Sequence, residues 1–161
     1  MDRLWLSNTG FKGFLKISFL KSIGYSDIPK HKGVYVIVRE SIDKPVFLDV
    51  SIGGHFKGKD PTVSISELED NWVNSSIIYI GKAGGSGSGA TLHSRLRQYI
   101  EFGKGKDIGH WGGKYIWQLK DSDNLLVAWK VLKEEPDDVE TKLIEQFRKE
   151  YGKRPFANLT K

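Results

Sequence analysis

Two apolar runs, each carrying one tyrosine and each bounded by a glycine, constrain this chain more than any other feature: Gly33-Val34-Tyr35-Val36-Ile37-Val38 and Ser76-Ile77-Ile78-Tyr79-Ile80-Gly81-Lys82. β-Branched residues and tyrosine fit a pleated, largely buried surface, so both runs read as strands, over 33–39 and 76–80. Pairing them as neighbours in one sheet brings two phenol groups together, each able to donate or accept a hydrogen bond. Gly81, at the end of the second run, lets the backbone turn and lets another group approach it closely.

The rest of the chain supplies helices and further strands around that pair. Residues 1–32 read as a strand followed by a short helix, then a turn at Asp27-Ile28-Pro29, where proline restrains its own φ and the residue before it. Segment 40–75 separates the two tyrosine strands. It holds an extended piece at 46–50, a loop Gly53-Gly54-His55-Phe56-Lys57-Gly58-Lys59, and a helix over 66–73. Both Ser64-x-x-Glu67 and Ser66-x-x-Glu69 have capping-box spacing for that helix. The glycine- and serine-rich stretch Ala83-Gly84-Gly85-Ser86-Gly87-Ser88-Gly89-Ala90 reads as a mobile loop over a substrate groove. It does not match a phosphate-cradling loop, because the lysine precedes the glycines and no Gly-Lys-Ser/Thr opens the next helix.

The helix expected over 91–102 carries Leu92, Leu96, Tyr99 and Ile100 on one face, with Arg95 on its flank and Arg97 turned outward beside Glu101. Two strands are expected at 115–117 and 125–132 around a turn at 121–124. Pro136-Asp137-Asp138 opens a last long helix, since proline and acidic residues suit the first turn. At about 100° per residue, Val139, Leu143, Ile144, Phe147 and Tyr151 share one apolar face with Glu140 near its middle and Glu145 opposite. A carboxylate aimed at a core is costly unless it is paired or bound to a cation, so Glu140 needs a chemical reason. The pattern predicts one α+β domain spanning 1–161, with a small, mainly antiparallel central sheet flanked by helices.

Composition narrows the chemistry. The formal net charge of +5 and pI near 9.3 suit a polyanionic partner. With no cysteine there is no disulfide, no thiolate-bound zinc and no thiol nucleophile, so any metal rests on oxygen or histidine ligands. No apolar run has signal-peptide character or the length to span a bilayer, which predicts a cytoplasmic protein with no membrane partner.

Gly33-Val34-Tyr35 and Tyr79-Ile80-Gly81 resemble the two tripeptides that name the GIY-YIG nuclease superfamily. Residues downstream strengthen the resemblance by their order: Lys82 directly after the second tripeptide, Arg95 and Tyr99 four apart on a helix, Glu140 on a later helix, and Asn158 after Pro155. The likeness covers roughly residues 33–158, and the insertions at about 40–75 and 83–90 depart from it.

The resemblance implies a divalent-metal-dependent endonuclease that hydrolyses DNA phosphodiester bonds. It implies Glu140 as the ligand of Mg²⁺ or Mn²⁺, Arg95 as the phosphate-binding arginine, Tyr35 and Tyr79 as the paired tyrosines, Lys82 and Tyr99 as supporting residues, and Asn158 as the late asparagine. A carboxylate suits such hard ions, and a fixed guanidinium suits the charge that builds on non-bridging oxygens. A phenol can take the proton of the attacking water if Lys82, Arg95 or the metal lowers its pKa, ordinarily about 10. Tyr79 is the expected base with Tyr35 orienting, and the reverse stays open. Lys57, Lys59, Lys104, His110 and Trp111 are the candidate nucleic-acid contacts, the last two through stacking on unpaired bases. A catalytically weak nucleic-acid-binding module of the same fold, and a nucleotide-binding enzyme using the glycine-rich loop, are the competing readings.

Overall fold

The computed structural model describes residues 1–161, with four strands and five α-helices in the order α1 (Arg3–Asn8), β1 (Lys12–Lys16), α2 (Ile17–Ile23), β2 (Gly33–Val38), α3 (Ile65–Asn71), β3 (Ile77–Ala83), α4 (Leu92–Gly103), β4 (Leu126–Val131) and α5 (Pro136–Tyr151). The strands form one sheet in the order β1-β4-β2-β3, and every neighbouring pair is antiparallel. The fold is the expected α+β arrangement. No helix is long and apolar enough to cross a membrane.

Strand β2 lies between β3 and β4 and is buried at every position, which explains its uninterrupted apolar run: a strand covered on both faces needs no polar alternation. One face of the sheet presents Tyr35, Ile37, Tyr79, Val127 and Trp129 to a core shared with Leu92, Leu96, Tyr99, Trp117 and Phe156. The other presents Val34, Val36, Ile80 and Ala128 to Leu6 of α1 and to Ile144 and Phe147 of α5. Burying a large side chain of this kind contributes about 1.5–3 kcal/mol, so the sheet is held from both sides. The two tyrosine strands pair as expected, with Tyr35 opposite Gly81 and Ile37 opposite Tyr79. An irregularity next to Val38 leaves Ile78 as the extra residue.

Some local expectations change. A short helix, α1, precedes the first strand and is capped by the Asp2 side chain, which accepts from Trp5 N–H. The strand-then-helix reading of the next stretch holds as β1 and α2. Its alternation is broken by a register shift between Gly13 and Leu15, where Phe14 sits at φ +54°. Residues 115–117 are not a strand. They belong to a 3₁₀ helix, Lys114–Gln118, launched by Gly113 in the left-handed region and buried along Tyr115, Ile116, Trp117 and Gln118. Three apolar residues without alternation do not distinguish a buried turn from a buried strand. The extended piece at 46–50 stands outside the four-stranded sheet. It meets 117–120 through a single bridge, Phe47 with Leu119, and flanking hydrogen bonds.

Of the two possible caps for α3, Ser64 is the one used. It accepts from Glu67 N–H, and the helix ends two residues earlier than the spacing suggested, where Trp72 turns extended. The helix expected over 91–102 forms as α4, opened by Thr91 and Ser94 in a reciprocal capping box. Pro136 starts α5, and left-handed Gly152 ends it.

Candidate active site

Tyr35 and Tyr79 sit on the same face of the sheet on neighbouring strands, diagonal to each other in the register, since Tyr35 lies opposite Gly81 and Tyr79 opposite Ile37. Their ring centroids are 6.0 Å apart and edge-on. Tyr99 reaches them from α4, at 6.4 Å from Tyr35 and 5.7 Å from Tyr79. Gly81 makes this approach possible: a Cβ there would fall 2.5 Å from the Tyr35 ring and 2.6 Å from its hydroxyl. Tyr99 donates its hydroxyl proton to the carbonyl of Gly113 at 2.8 Å. Gly113 has φ +74°, and a Cβ on it would come within 2.6 Å of the same hydroxyl. Tyr99 is therefore a buttress between helix and turn, with its polar group already engaged.

Burial raises the pKa of all three phenols, those of Tyr79 and Tyr99 well above the ordinary value. For Tyr35 the opposing influences are stronger: the Arg95 guanidinium and the Tyr79 hydroxyl both favour its ionised form. Lys82, expected to act on the phenols, is drawn elsewhere.

A cleft of about 420 Å³ opens over the two tyrosines, lined also by Lys82, Arg95, Glu140 and the glycine-serine turn. A neighbouring hollow of about 280 Å³ shares Tyr79, Lys82 and Glu140 and adds Asp137, Asn158 and Lys161. Arg95 is half-buried at the first of these, and its guanidinium forms no ion pair with a carboxylate. The second insertion folds as a turn. Residues 84–87 all have positive φ, Gly85 bridges to Ser88, and the Ser86 hydroxyl donates to Glu135 at 3.4 Å.

The carboxylate wall comes from α5. Glu140 is 9% exposed, as its place on the apolar face required, and its Oε2 accepts from Lys161 Nζ at 2.7 Å. The same ammonium is 2.6 Å from Asp137 Oδ1, which also accepts from Lys82 Nζ at 2.8 Å. Hydrogen bonds from Lys161 and Lys82 hold the Asp137 carboxyl down at about 2. Burial opposes the charge on Lys161, but its bonds to Asp137 and Glu140 outweigh that and raise its pKa. Neither Asp137, expected only in the first turn of the helix, nor Lys161 is among the site residues expected from the sequence. Asp137 had a signal, since it precedes Glu140 by three on one helix and so shares its face. Lys161 had none.

A divalent ion fits this wall. Glu140 and Asp137 offer oxygens close enough to share one cation, and hard ions prefer oxygen. Nowhere do three or more His, Asp or Glu side chains gather into a cage. An ion here would keep several of its waters, which Mg²⁺ does readily.

Asn158 does not open into the cleft with a free amide. Its side-chain carbonyl accepts from Ile80 N–H at 3.0 Å and its amide donates to Ile80 C=O at 2.9 Å. Together with Ala157 N–H on the carbonyl of Ile78, this covers the free edge of β3. Asn158 is a positioning residue for the strand that carries Tyr79.

The five expected nucleic-acid contacts separate. Lys57 and Lys59 are exposed on the turn closed by the bridge between Phe56 and Lys59. Trp111 is half-buried between the Phe56 ring, at 5.9 Å, and the Lys114 ammonium, at 4.0 Å. Its neighbour Gly112 borders Tyr79, which puts this basic and aromatic patch beside the cleft. His110 is a correction. It is 1% exposed, with its ring 4.5 Å from that of Tyr99, so it can neither stack on a base nor touch a phosphate. Burial and the nearby Arg95 charge push its pKa down to about 3, and neither ring nitrogen has a partner. Lys104 stands apart from the other lysines. It lies more than two turns beyond Arg95, paired with Glu101 and donating to the carbonyl of Lys21. Comparison with protein-family models, with curated proteins and with solved structures yields no match to this chain.

Proposed function

We propose that this protein is a divalent-metal-dependent endonuclease of the GIY-YIG kind that hydrolyses DNA phosphodiester bonds. One observation supports the reading above all: Tyr35, Tyr79, Lys82, Arg95 and Glu140 line a single cleft although they come from two strands and two helices. In this reading Glu140, assisted by Asp137, holds Mg²⁺ or Mn²⁺, which supplies charge to polarise the phosphoryl group and to acidify a water. Arg95 binds a non-bridging oxygen and stabilises the charge that develops there; its lack of a carboxylate partner leaves it available. Tyr35 is the better candidate to take the proton of the attacking water, because Arg95 and the Tyr79 hydroxyl both favour its ionised form. Tyr79 orients it, and Tyr99 braces the pair. The net charge of +5 and the patch of Lys57, Lys59 and Lys114 beside the cleft suit a phosphate backbone.

A second reading, a catalytically weak nucleic-acid-binding module, is favoured by the ammonium already paired with Glu140. Incubation with plasmid, branched and single-stranded DNA in Mg²⁺ or Mn²⁺ separates the two. Cleavage abolished by chelator and lowered about 10²–10³-fold by Glu140→Ala and by Arg95→Ala is the expected result. Metal-dependent cleavage indifferent to both substitutions overturns the site, and binding without cleavage in every metal selects the module.

A further inference from the structure

We propose that Lys161 is a built-in occupant of the cation seat between Asp137 and Glu140, so that a divalent ion binds there only by displacing its ammonium; the inference rests on the assignment of metal to Glu140. The Lys161 nitrogen lies 2.6 Å from Asp137 Oδ1, 2.7 Å from Glu140 Oε2 and 3.3 Å from the Thr141 hydroxyl, so three donors meet three acceptors. The two carboxylate oxygens come from different residues of α5 and face one shared point. An ion spanning the same pair takes the same space, and its charge repels an ammonium a few ångström away. The side chain that fills the seat is also suited to leaving it. It is long, unbranched and 35% exposed.

The charge on the wall explains why such an occupant is useful. With Lys161 in place, two carboxylates face two ammoniums, Lys82 and Lys161, and the wall is neutral. Without Lys161 and without metal, it carries one negative charge beside Arg95 and repels a phosphate. With a divalent ion in place of Lys161, it carries one positive charge, while Asp137 keeps its bond to Lys82. The lysine thus lets the metal-free cleft accept a nucleic-acid backbone, and the exchange of ammonium for metal adds the charge that the reaction needs.

The test is Mn²⁺ binding to the full chain, read from the loss of the free-ion paramagnetic resonance signal, in the unaltered protein and in Lys161→Met, Lys161→Arg and Glu140→Gln. If the ammonium occupies the seat nine-tenths of the time, its removal tightens Mn²⁺ binding about tenfold. Lys161→Met is therefore expected to bind about tenfold tighter and Lys161→Arg to stay near the unaltered value. Metal-free binding of a short DNA duplex should weaken in Lys161→Met. Equal or weaker Mn²⁺ binding by Lys161→Met, with Glu140→Gln still abolishing it, overturns the inference and leaves the metal assignment standing. Mn²⁺ binding that survives Glu140→Gln unchanged removes the metal assignment, and the inference with it.

Discussion

The two helices that flank the cleft present charge in opposite ways. α4 brings Arg95, half-buried and without a carboxylate partner, while α5 brings Asp137 and Glu140, both already held by ammonium groups. A buried or half-buried charge left unpaired is costly in a metal-free fold, so the α4 side retains a cost that a bound anion would relieve. The α5 side retains none. In the proposed reading the anion site is thus preformed and the cation site is reached by exchange, and of the two charged groups that act on Tyr35 the Arg95 guanidinium outweighs Glu140.

The phenols give the sharpest way to break that contrast. If Arg95 sets which tyrosine ionises, Tyr35→Phe should lower the single-turnover cleavage rate by about 10²–10⁴-fold, as loss of a general base does. Tyr79→Phe should cost less, because that hydroxyl acts through Tyr35. A larger loss from Tyr79→Phe would mean that accessibility, 7% against 1%, outweighs the pull of Arg95. Circular dichroism at matched concentration separates either loss from unfolding.

His110 tests the α4 side through stability. Its folded pKa is pushed down to about 3 by burial and by Arg95, below the ordinary value of about 6.5 for an unfolded histidine. The unfolded chain therefore takes up the proton first. The stability that His110 contributes is complete above about pH 6.5 and is lost as the pH falls toward 3, by up to about 1.4 kcal/mol per pH unit. Urea midpoints at pH 7, 6 and 5 should fall more steeply for the unaltered chain than for His110→Phe. Parallel slopes would mean that the imidazole reaches water and is not confined behind Arg95.

Asn158 reports on the α5 side, where its amide holds the edge of β3 at Ile80, next to the bond from Ala157 N–H to Ile78. Asn158→Ala leaves the Ile80 N–H and C=O buried without partners, at a cost of about 1–3 kcal/mol. For a chain of this size each kcal/mol lowers the melting midpoint by about 2–4 °C. Cleavage per folded molecule should change little. A loss beyond about tenfold with the fold intact would mean that Asn158 meets the substrate directly.

The range of each interaction decides whether it was legible in the sequence. Alternating and continuous apolar patterns are local, so the two tyrosine strands, α4 and α5 were legible, and Glu140 stood out because a carboxylate on an apolar stripe is an anomaly within a single helix. The 3₁₀ turn at Lys114–Gln118 was not legible, because its residues are buried by contacts with the distant insertion: the Gln118 amide bonds to the carbonyls of Leu48 and Val63. His110 looked like a surface group among glycines, and only the packing of Tyr99 against it shows otherwise. Partners were the least legible of all. No spacing rule connects Lys161 to carboxylates 24 and 21 residues earlier, or Lys82 to Asp137 rather than to the phenols.

The smallest expected effect concerns the nucleic-acid path, where the sequence grouped Lys57, Lys59 and Lys104 and the fold divides them. Lys57 and Lys59 stand exposed on the turn that packs against Trp111 beside the cleft, whereas Lys104 is engaged by Glu101 at the far end of α4. Each lysine that neutralises a phosphate adds close to one to the slope of log affinity against log salt. Replacing Lys57 and Lys59 together by alanine should therefore reduce that slope by about 2, and Lys104→Ala should leave it unchanged. Fluorescence anisotropy of a labelled duplex between about 50 and 200 mM salt, a range in which such slopes are resolved, measures both. An equal effect of Lys104→Ala would extend the path along the whole of α4 and make that helix, with Arg95 at one end, the principal track for the backbone.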